Sequence, residues 1–545
     1  MSDPVPSTNS PWRSVIIVAC VGIIAYSNTF FSPFELDDFS SIVNNGCIQN
    51  LGDLHGIWHF LPRRFILYLS LAFNYHFNGL NVCGWHLFNL AVHLAAAVLV
   101  WRLALLTFST PVLREDQIAR HAPAIALWAG LIFVSHPVQT EAVTYIVQRA
   151  ASLAAMFYLA SLCLYLKARL LQEQGKPAWK SFYAGCLLST VAAMYTKETA
   201  ITLPLMIVLC EVSFLRAWKD IDWKQLIPVL LSLLVIPVTM VLTENSPARI
   251  HHLCSEPGIS PWQYFLTQLR VIVTYIRLLF LPVHQDFDYD YPVFKSFFQT
   301  PVLLSFLFLA AVLLGAKRLW PKYRLVSFGI FFFFLALVPE SSILPIKDVI
   351  FEHRLYLPMV GFSLSLAGAA YYFLGKNHLK AMTLGLTVIV VCFSALTYAR
   401  NNVWQDNLTL WQDTVQKSPH KARPYLCRGY AWESKGDFQQ AIADYSKVIT
   451  LDPSEPDDYY NRGTLYCRLG AFAQAISDLD KAIALNPDDA DFYNNRAVTY
   501  ERLKEYRRAL ADFERARVLG HPVDAARISL LKRKSAEALR QSKKN

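Results

Sequence analysis

The chain has 545 residues, 54% hydrophobic and only 17% charged, with a mean hydropathy of +0.29. An ordinary soluble domain carries roughly 25% charged residues, so most of this chain belongs in a membrane. The formal net charge of +10 comes from Lys and Arg spread over short loops and the C-terminal third; without a basic stripe it excludes nucleic acid as the expected partner.

The first residues, Met1 to Pro11, are polar, and no small-residue cleavage site follows the apolar run after Arg13. The reading is a retained first span rather than a removed signal peptide. Apolar runs of spanning or nearly spanning length lie at about 14–31, 86–107, 123–138, 142–166, 181–196, 199–216, 226–243, 302–316, 325–339, 355–374 and 380–398, which makes eleven expected spans. A further run, 263–282, carries Arg270 and Arg277 seven residues apart on one helical face and reads as lying at the interface.

Positive loops stay cytoplasmic. With eleven spans and the N-terminus inside, the loops 102–122, 167–180, 216–224, 316–324 and 375–380 hold 16 Lys and Arg, against 6 in the much longer outer loops 32–85 and 244–301. If 263–282 crossed, the basic stretch Lys317 to Arg324 would be outside and the acidic Asp286 to Asp290 inside. Ten cysteines occur without a CxxC pair, so no metal cage or disulfide framework is expected; a Cys47–Cys83 bridge is the one pairing that an extracytoplasmic loop would permit.

Odd parity puts the C-terminal region outside. From about 404 it repeats every 34 residues: Pro419, Pro453 and Pro487; Tyr425, Tyr459 and Tyr493; Gly429, Gly463 and Ala497; Ala441, Ala475 and Ala509; Asp444, Asp478 and Asp512. Small residues where two helices touch, and Pro opening the next unit, make the tetratricopeptide pattern. Three repeats follow a half-repeat around Trp404 to Ser418, and 524–545 reads as a basic capping helix and tail. Such stacks commonly present a concave surface to peptides or protein segments.

Candidate chemistry begins with the adjacent carboxylates Asp37 and Asp38, just past the first span, where each perturbs the other. Other polar residues collect at outer span ends: His136 and Glu141, Arg149, Lys197 and Glu198, Glu340, Glu352 and Arg354. Ionisable groups there are costly unless they pair or line a wet cavity. His136 and Glu141 are five apart across Pro137, which is not a metal-ligand spacing on one helix. Arg149, Arg270, Arg277 and Arg354 are planar donors suited to a phosphate held at the interface. Sugar transfer from a lipid phosphate to a hydroxyl needs a carboxylate to take the proton and cations for the leaving phosphate. Neighbouring carboxylates can also bind a divalent cation, and the cofactor is left unassigned.

The acidic pair after the first span, His136-Pro137-Val138-Gln139-Thr140-Glu141 with Arg149, Lys197-Glu198, Glu352-His353-Arg354-Leu355-Tyr356-Leu357-Pro358 and the repeats, in that order, resemble the transmembrane and tetratricopeptide repeat-containing O-mannosyltransferases and their bacterial relatives. The resemblance implies a C-type (GT-C) membrane glycosyltransferase using a polyprenyl-phosphate sugar on the outer or lumenal face. It implies Asp37 as general base, with Asp38 where protein O-mannosyltransferases carry Glu.

The expectation is therefore an all-α protein: a GT-C-like polytopic bundle over 1–403, a tetratricopeptide solenoid over 404–523 and a basic cap over 524–545. Its expected catalytic residues are Asp37 and Asp38; substrate-binding residues are His136, Glu141, Arg149, Lys197, Glu198, Arg270, Arg277, Glu352 and Arg354. Its expected function is transfer of a sugar, most simply mannose, to a hydroxyl acceptor such as protein Ser or Thr. The expected partners are the lipid donor and a peptide held by the repeats; the alternative is a non-catalytic membrane-anchored scaffold, for which eleven spans are far more than an anchor needs. The end Lys544-Asn545 carries no retention signal, which favours the bacterial inner membrane over the endoplasmic reticulum.

Overall fold

The structure, a computed structural model, describes residues 11–243, 259–375 and 378–542. The polar N-terminal start, part of the outer loop 244–301, Lys376 of the loop 375–380 and the final Lys544-Asn545 lie outside the described residues. Among the described residues all regular structure is helical. Contacts divide the chain into one unit of Met1–Phe287 with Tyr291–Asp406, and a second of Asp288–Asp290 with Asn407–Asn545.

The first unit begins with α1 (Pro11–Ala25), α2 (Leu54–Phe60), α3 (Phe65–Asn78), α4 (Val82–Phe108), α5 (Ala122–Ser135), α6 (Thr140–Thr144), α7 (Arg149–Glu173) and α8 (Trp179–Met194). It continues through α9 (Leu203–Cys210), α10 (Trp223–Leu231), α11 (Val235–Thr243), α12 (Pro261–Phe280), α13 (Thr300–Leu319), α14 (Arg324–Leu337), α15 (Pro358–Ala370) and α16 (Leu379–Val403). Among the described residues seven helical segments are long and apolar enough to cross a membrane: Val82–Phe108, Gln117–Ser135, Ile146–Glu173, Glu198–Leu215, Trp223–Thr243, Thr300–Leu319 and Leu379–Val403. The other four apolar runs form α1, α8, α14 and α15; α1 stops at Ala25, ahead of Ser27 and Asn28, whereas α15 runs straight on into a π-helical turn, Tyr371–Gly375. The bundle is polytopic and membrane-type.

α12 is as long as a span but is not among these seven. It buries Tyr264, Gln268, Val271, Tyr275 and Leu278 on one side, at the helical spacing of an amphipathic element, and leaves Arg270 half-buried and Arg277 exposed.

Small residues set the closest approaches in the bundle. A Cβ on Gly329 of α14 would lie 2.3 Å from the Gly361 carbonyl oxygen of α15, and one on Gly361 would lie 2.2 Å from the Gly329 oxygen. Backbone-to-backbone packing of this kind is how membrane helices associate without a hydrophobic driving force. It also brings the C-terminal end of α14, with Glu340, next to the residues that lead into α15, His353 and Arg354.

The second unit runs through α17 (Asn407–Lys417), α18 (Ala422–Ser434), α19 (Phe438–Leu451), α20 (Pro456–Arg468), α21 (Phe472–Leu485), α22 (Ala490–Arg502), α23 (Tyr506–Val518) and α24 (Ala525–Ser542). Each repeat is latched by the same forked ion pair: Arg428 to Asp444, Arg462 to Asp478 and Arg496 to Asp512, all at 2.6–2.8 Å. Gly429 packs where a Cβ would meet the Tyr445 ring at 2.5 Å, which explains the small residue at that position. α24 closes the stack by placing Leu531 against Ala497, Ala509 and Phe513. Asp288 belongs to this unit, where Lys421 and Arg423 both bind its buried carboxylate.

Candidate active site

Loops and a short helix at one end of the first unit meet. The turn after α1 bonds to the α6–α7 loop, α6 to the turn before α15, and the loop after α8 to that after α14.

The two aspartates of the first loop have different environments. Leu36 takes φ +36°, a left-handed conformation costing a residue with a Cβ about 1–2 kcal/mol, and this turn splits the pair. Asp38 is fully buried; its Oδ2 accepts the Glu35 N–H at 3.0 Å and its Oδ1 the Val147 N–H at 2.7 Å. Burial raises its pKa to about 7, against the pull of those two N–H groups. Asp37 is exposed, and its carboxylate has no hydrogen-bond or ion-pair partner among the described residues. Its backbone N–H donates to the Tyr145 hydroxyl at 2.9 Å. Tyr145 is itself fixed by stacking on Trp404 and by an edge contact with Phe287.

Glu141 is the hub of the second cluster. Its Oε2 accepts the N–H groups of Glu352 at 2.8 Å and His353 at 3.1 Å, while Oε1 lies 2.6 Å from His353 Nδ1. Burial raises Glu141 to about 8, despite those two donors, and burial holds His353 well below the ordinary histidine range, with Lys197 acting the same way. Glu352 in turn accepts the Asp286 N–H at 2.9 Å and the Gln285 side-chain amide. These bonds dictate the shape of the turn that presents Arg354, whose guanidinium donates to the Val349 and Asp348 carbonyls.

Arg354 and His353 line a small cavity, about 20 Å³ and so of one-water size, together with Lys197, Glu340, Tyr158 and the small side chains Ala151, Ala154 and Ala155 of α7. Lys197 Nζ sits 2.9 Å from Glu340 Oε1. Burial works against the Glu340 charge, but Lys197 and Arg354 outweigh it and hold that carboxyl below its usual range. Two cations and one anion leave the cavity net positive, which suits an anionic group. An apolar groove of about 350 Å³ lies between α12, α13, α14 and α15, lined by Phe280, Phe308, Phe333, Phe334 and Phe362.

The remaining expected residues lie outside the positive cavity. Arg149 is fully buried and donates to Asn89 and Asn74 at 2.6 Å each and to the Ser70 and Trp85 carbonyls, with its guanidinium over the Phe88 ring. This structure therefore gives it a scaffolding place rather than an open face toward a phosphate. His136 is buried, with Nε2 3.0 Å from the Leu279 carbonyl and Nδ1 accepting the Val138 N–H. Glu198 pairs with Arg63 and Arg64. Arg270 and Arg277 stand on α12 outside the cavity lining, Arg277 donating to the Val283 carbonyl. Among the described residues no three His, Cys, Asp or Glu side chains gather as a metal cage, and Cys47 and Cys83 are both free thiols.

Sequence reasoning did not single out Tyr145, Asn74, Asn89 or His86. A signal existed for three positions on α4: His86, Asn89 and His93 interrupt an apolar run at spacings of three and four, one helical face. His86 meets the Ser32 carbonyl, Asn89 the Arg149 guanidinium, and His93 the Tyr356 hydroxyl at 2.8 Å.

Tetratricopeptide repeat models match residues 430–493 and 479–511. Protein O-mannosyl-transferase TMTC3 of Mus musculus is 24% identical over 495 residues, covering 82% of this chain and 52% of its own. Protein O-mannosyl-transferase F38B6.6 of Caenorhabditis elegans is 25% identical, with 81% and 63% covered, and TMTC4 of Homo sapiens is 25% identical, with 80% and 66% covered. The family resemblance drawn from the sequence is borne out. The chain spans 52% to 66% of the length of these relatives. Among solved structures, ArnT from Cupriavidus metallidurans bound to undecaprenyl phosphate aligns over 89% of this chain and 81% of its own, at 15% identity and a TM-score of 0.41.

Proposed function

We propose that this chain is a multi-pass membrane glycosyltransferase that moves a sugar, most simply mannose, from a polyprenyl-phosphate donor to a hydroxyl of a protein Ser or Thr on the extracytoplasmic face. The observation that carries the reading is the division within the acidic pair: Asp38 is buried and tied down by two backbone donors, leaving the Asp37 carboxylate exposed and, among the described residues, without a partner. Asp37 takes the acceptor hydroxyl proton as that oxygen attacks the anomeric carbon. The bond from that carbon to the phosphate oxygen breaks, and the departing phosphate keeps the electron pair. A single displacement inverts the anomeric centre and needs no second carboxylate as nucleophile.

Lys197 and Arg354 in the positive cavity bind the phosphate and stabilise its charge as it leaves, and Glu141 positions Arg354 through the 352–354 turn. The apolar groove between α12 and α15 suits the isoprenoid chain. The relatives' names, protein O-mannosyl-transferases, support mannose and a protein acceptor; the lipid donor rests on the resemblance read from the sequence. The repeats recruit the acceptor polypeptide. The bacterial inner membrane is the location proposed, with the endoplasmic reticulum as its alternative.

Reconstituted protein supplied with radiolabelled polyprenyl-phosphate mannose and a Ser/Thr-rich acceptor should gain label on the acceptor as an inverted, O-linked sugar. Binding of the donor without transfer to any hydroxyl acceptor would leave the scaffold reading in its place.

A further inference from the structure

The opposite end of the first unit carries a second polar cavity, of about 680 Å³, that the proposed transfer does not use. α5 runs from His121 at this cavity to His136 at the candidate site, and α14 from Tyr323 to the Glu340 end, so the two cavities stand at opposite ends of the same helices. Three stretches distant in sequence converge here: the loop before α5, the one between α13 and α14, and Tyr371 to Gly375 just after α15.

The lining is cationic and aromatic. Arg120, His121 and Lys322 face the space, and among the described residues none of them has a carboxylate partner. Arg120 uses only its Nε, toward the Gln117 carbonyl, so both terminal nitrogens of its fork stay available. The single acid of the lining, Asp116, is engaged elsewhere: Oδ1 accepts the Ile118 N–H at 3.1 Å and Oδ2 the Tyr372 hydroxyl at 2.7 Å. Tyr372 stands edge-on to Tyr323 at 4.9 Å, and Lys322 Nζ lies 5.2 Å from the Tyr323 ring centre. These contacts hold the aromatic wall in one arrangement. Scattered topology-setting cations need no shared cavity and no fixed wall, and both are present. Tyr rings at a membrane boundary offer an apolar body to acyl chains and a hydroxyl to the headgroup layer.

We propose that this cavity binds a phosphate group, with the Arg120 fork on two of its oxygens and Lys322 as a point charge beside it. The phosphate comes from a membrane lipid headgroup or from a soluble phosphate, and the two sources share the same recognition chemistry. Its placement in the cytoplasmic leaflet rests on the proposed topology; the binding does not.

The test uses the full chain in detergent micelles with three probes: dioctanoyl phosphatidic acid, dioctanoyl glycerol, which lacks only the phosphate, and inorganic phosphate. Native mass spectrometry and the thermal midpoint report binding. Phosphatidic acid should bind and stabilise while the diacylglycerol does not. The Arg120→Ala, Lys322→Ala double variant should bind it on the order of a hundredfold more weakly, about tenfold per charge-assisted contact, with its ligand-free midpoint and sugar transfer unchanged. Equal affinity for inorganic phosphate upholds the site and assigns a soluble source. Diacylglycerol binding as well as phosphatidic acid, or a double variant binding like the wild type, overturns it. If the double variant does not fold, Arg120→Lys with Lys322→Arg, which should retain binding, and Arg120→Gln alone, which should weaken it, read the same question.

Discussion

Replacing Asp38 by Ala removes the acceptor for two buried N–H groups, those of Glu35 and Val147. Each orphaned donor costs about 1–3 kcal/mol, so the loss is about 2–6 kcal/mol when nothing offsets it. An offset exists, and it depends on pH. Burial lifts the Asp38 pKa from 3.8 to about 7, so the folded state holds the proton more tightly than the unfolded chain does. Wild-type stability from this group is therefore full at low pH and falls as pH rises through the window from about 4 to about 7. At 1.36 kcal/mol per unit, the fall between about pH 5 and about pH 8 is about 2–3 kcal/mol. Ala has no proton to lose. Asp38→Ala should thus be clearly destabilised near pH 5 and much less so near pH 8. Thermal unfolding of the detergent-solubilised protein at both pH values measures this. An equal penalty at the two, or a larger one at the higher pH, would refute the assignment of Asp38 as a buried carboxyl protonated at low pH.

Other outcomes follow from the same geometry. Arg149→Lys loses the fork that serves both Asn74 and Asn89 and should destabilise the protein by about 2–4 kcal/mol; folded yield by size exclusion reports it. Lys197→Ala removes one of two cavity cations and leaves Glu340 buried without it, so donor affinity in a lipid-binding assay should fall about tenfold or more. Arg462→Ala strands the Asp478 carboxylate, which should cost the repeats about 1–3 kcal/mol and show as faster proteolysis within 456–489.

The repeats were legible because a period of 34 survives every local detail. Asp444, Asp478 and Asp512 stood out in that period, and their partners Arg428, Arg462 and Arg496 share it. Only the three-dimensional turn between paired helices shows why the two sets belong together, sixteen residues apart. The spans were legible from apolar length, but not their true ends: α8 and α14 stop short because turn residues, not hydropathy, decide where a helix finishes. At the site, residue types at span ends pointed to Lys197, Glu352 and Arg354. Their roles depend on pairings across the fold, such as Glu141 with the N–H groups of residues 352 and 353, and nothing local encodes those. Arg149 shows the same limit: a lone arginine at a span end looks like a phosphate ligand until Asn74 and Asn89, from two other helices, close around it.

The central claim is the separation of roles between Asp37 and its neighbour, and transfer by Asp37→Asn tests it most directly. That variant loses no partner in the fold, so it should keep the wild-type thermal midpoint and donor binding while transferring sugar about 10²–10⁴-fold more slowly. Wild-type transfer rates from a folded, donor-binding Asp37→Asn protein would contradict the account.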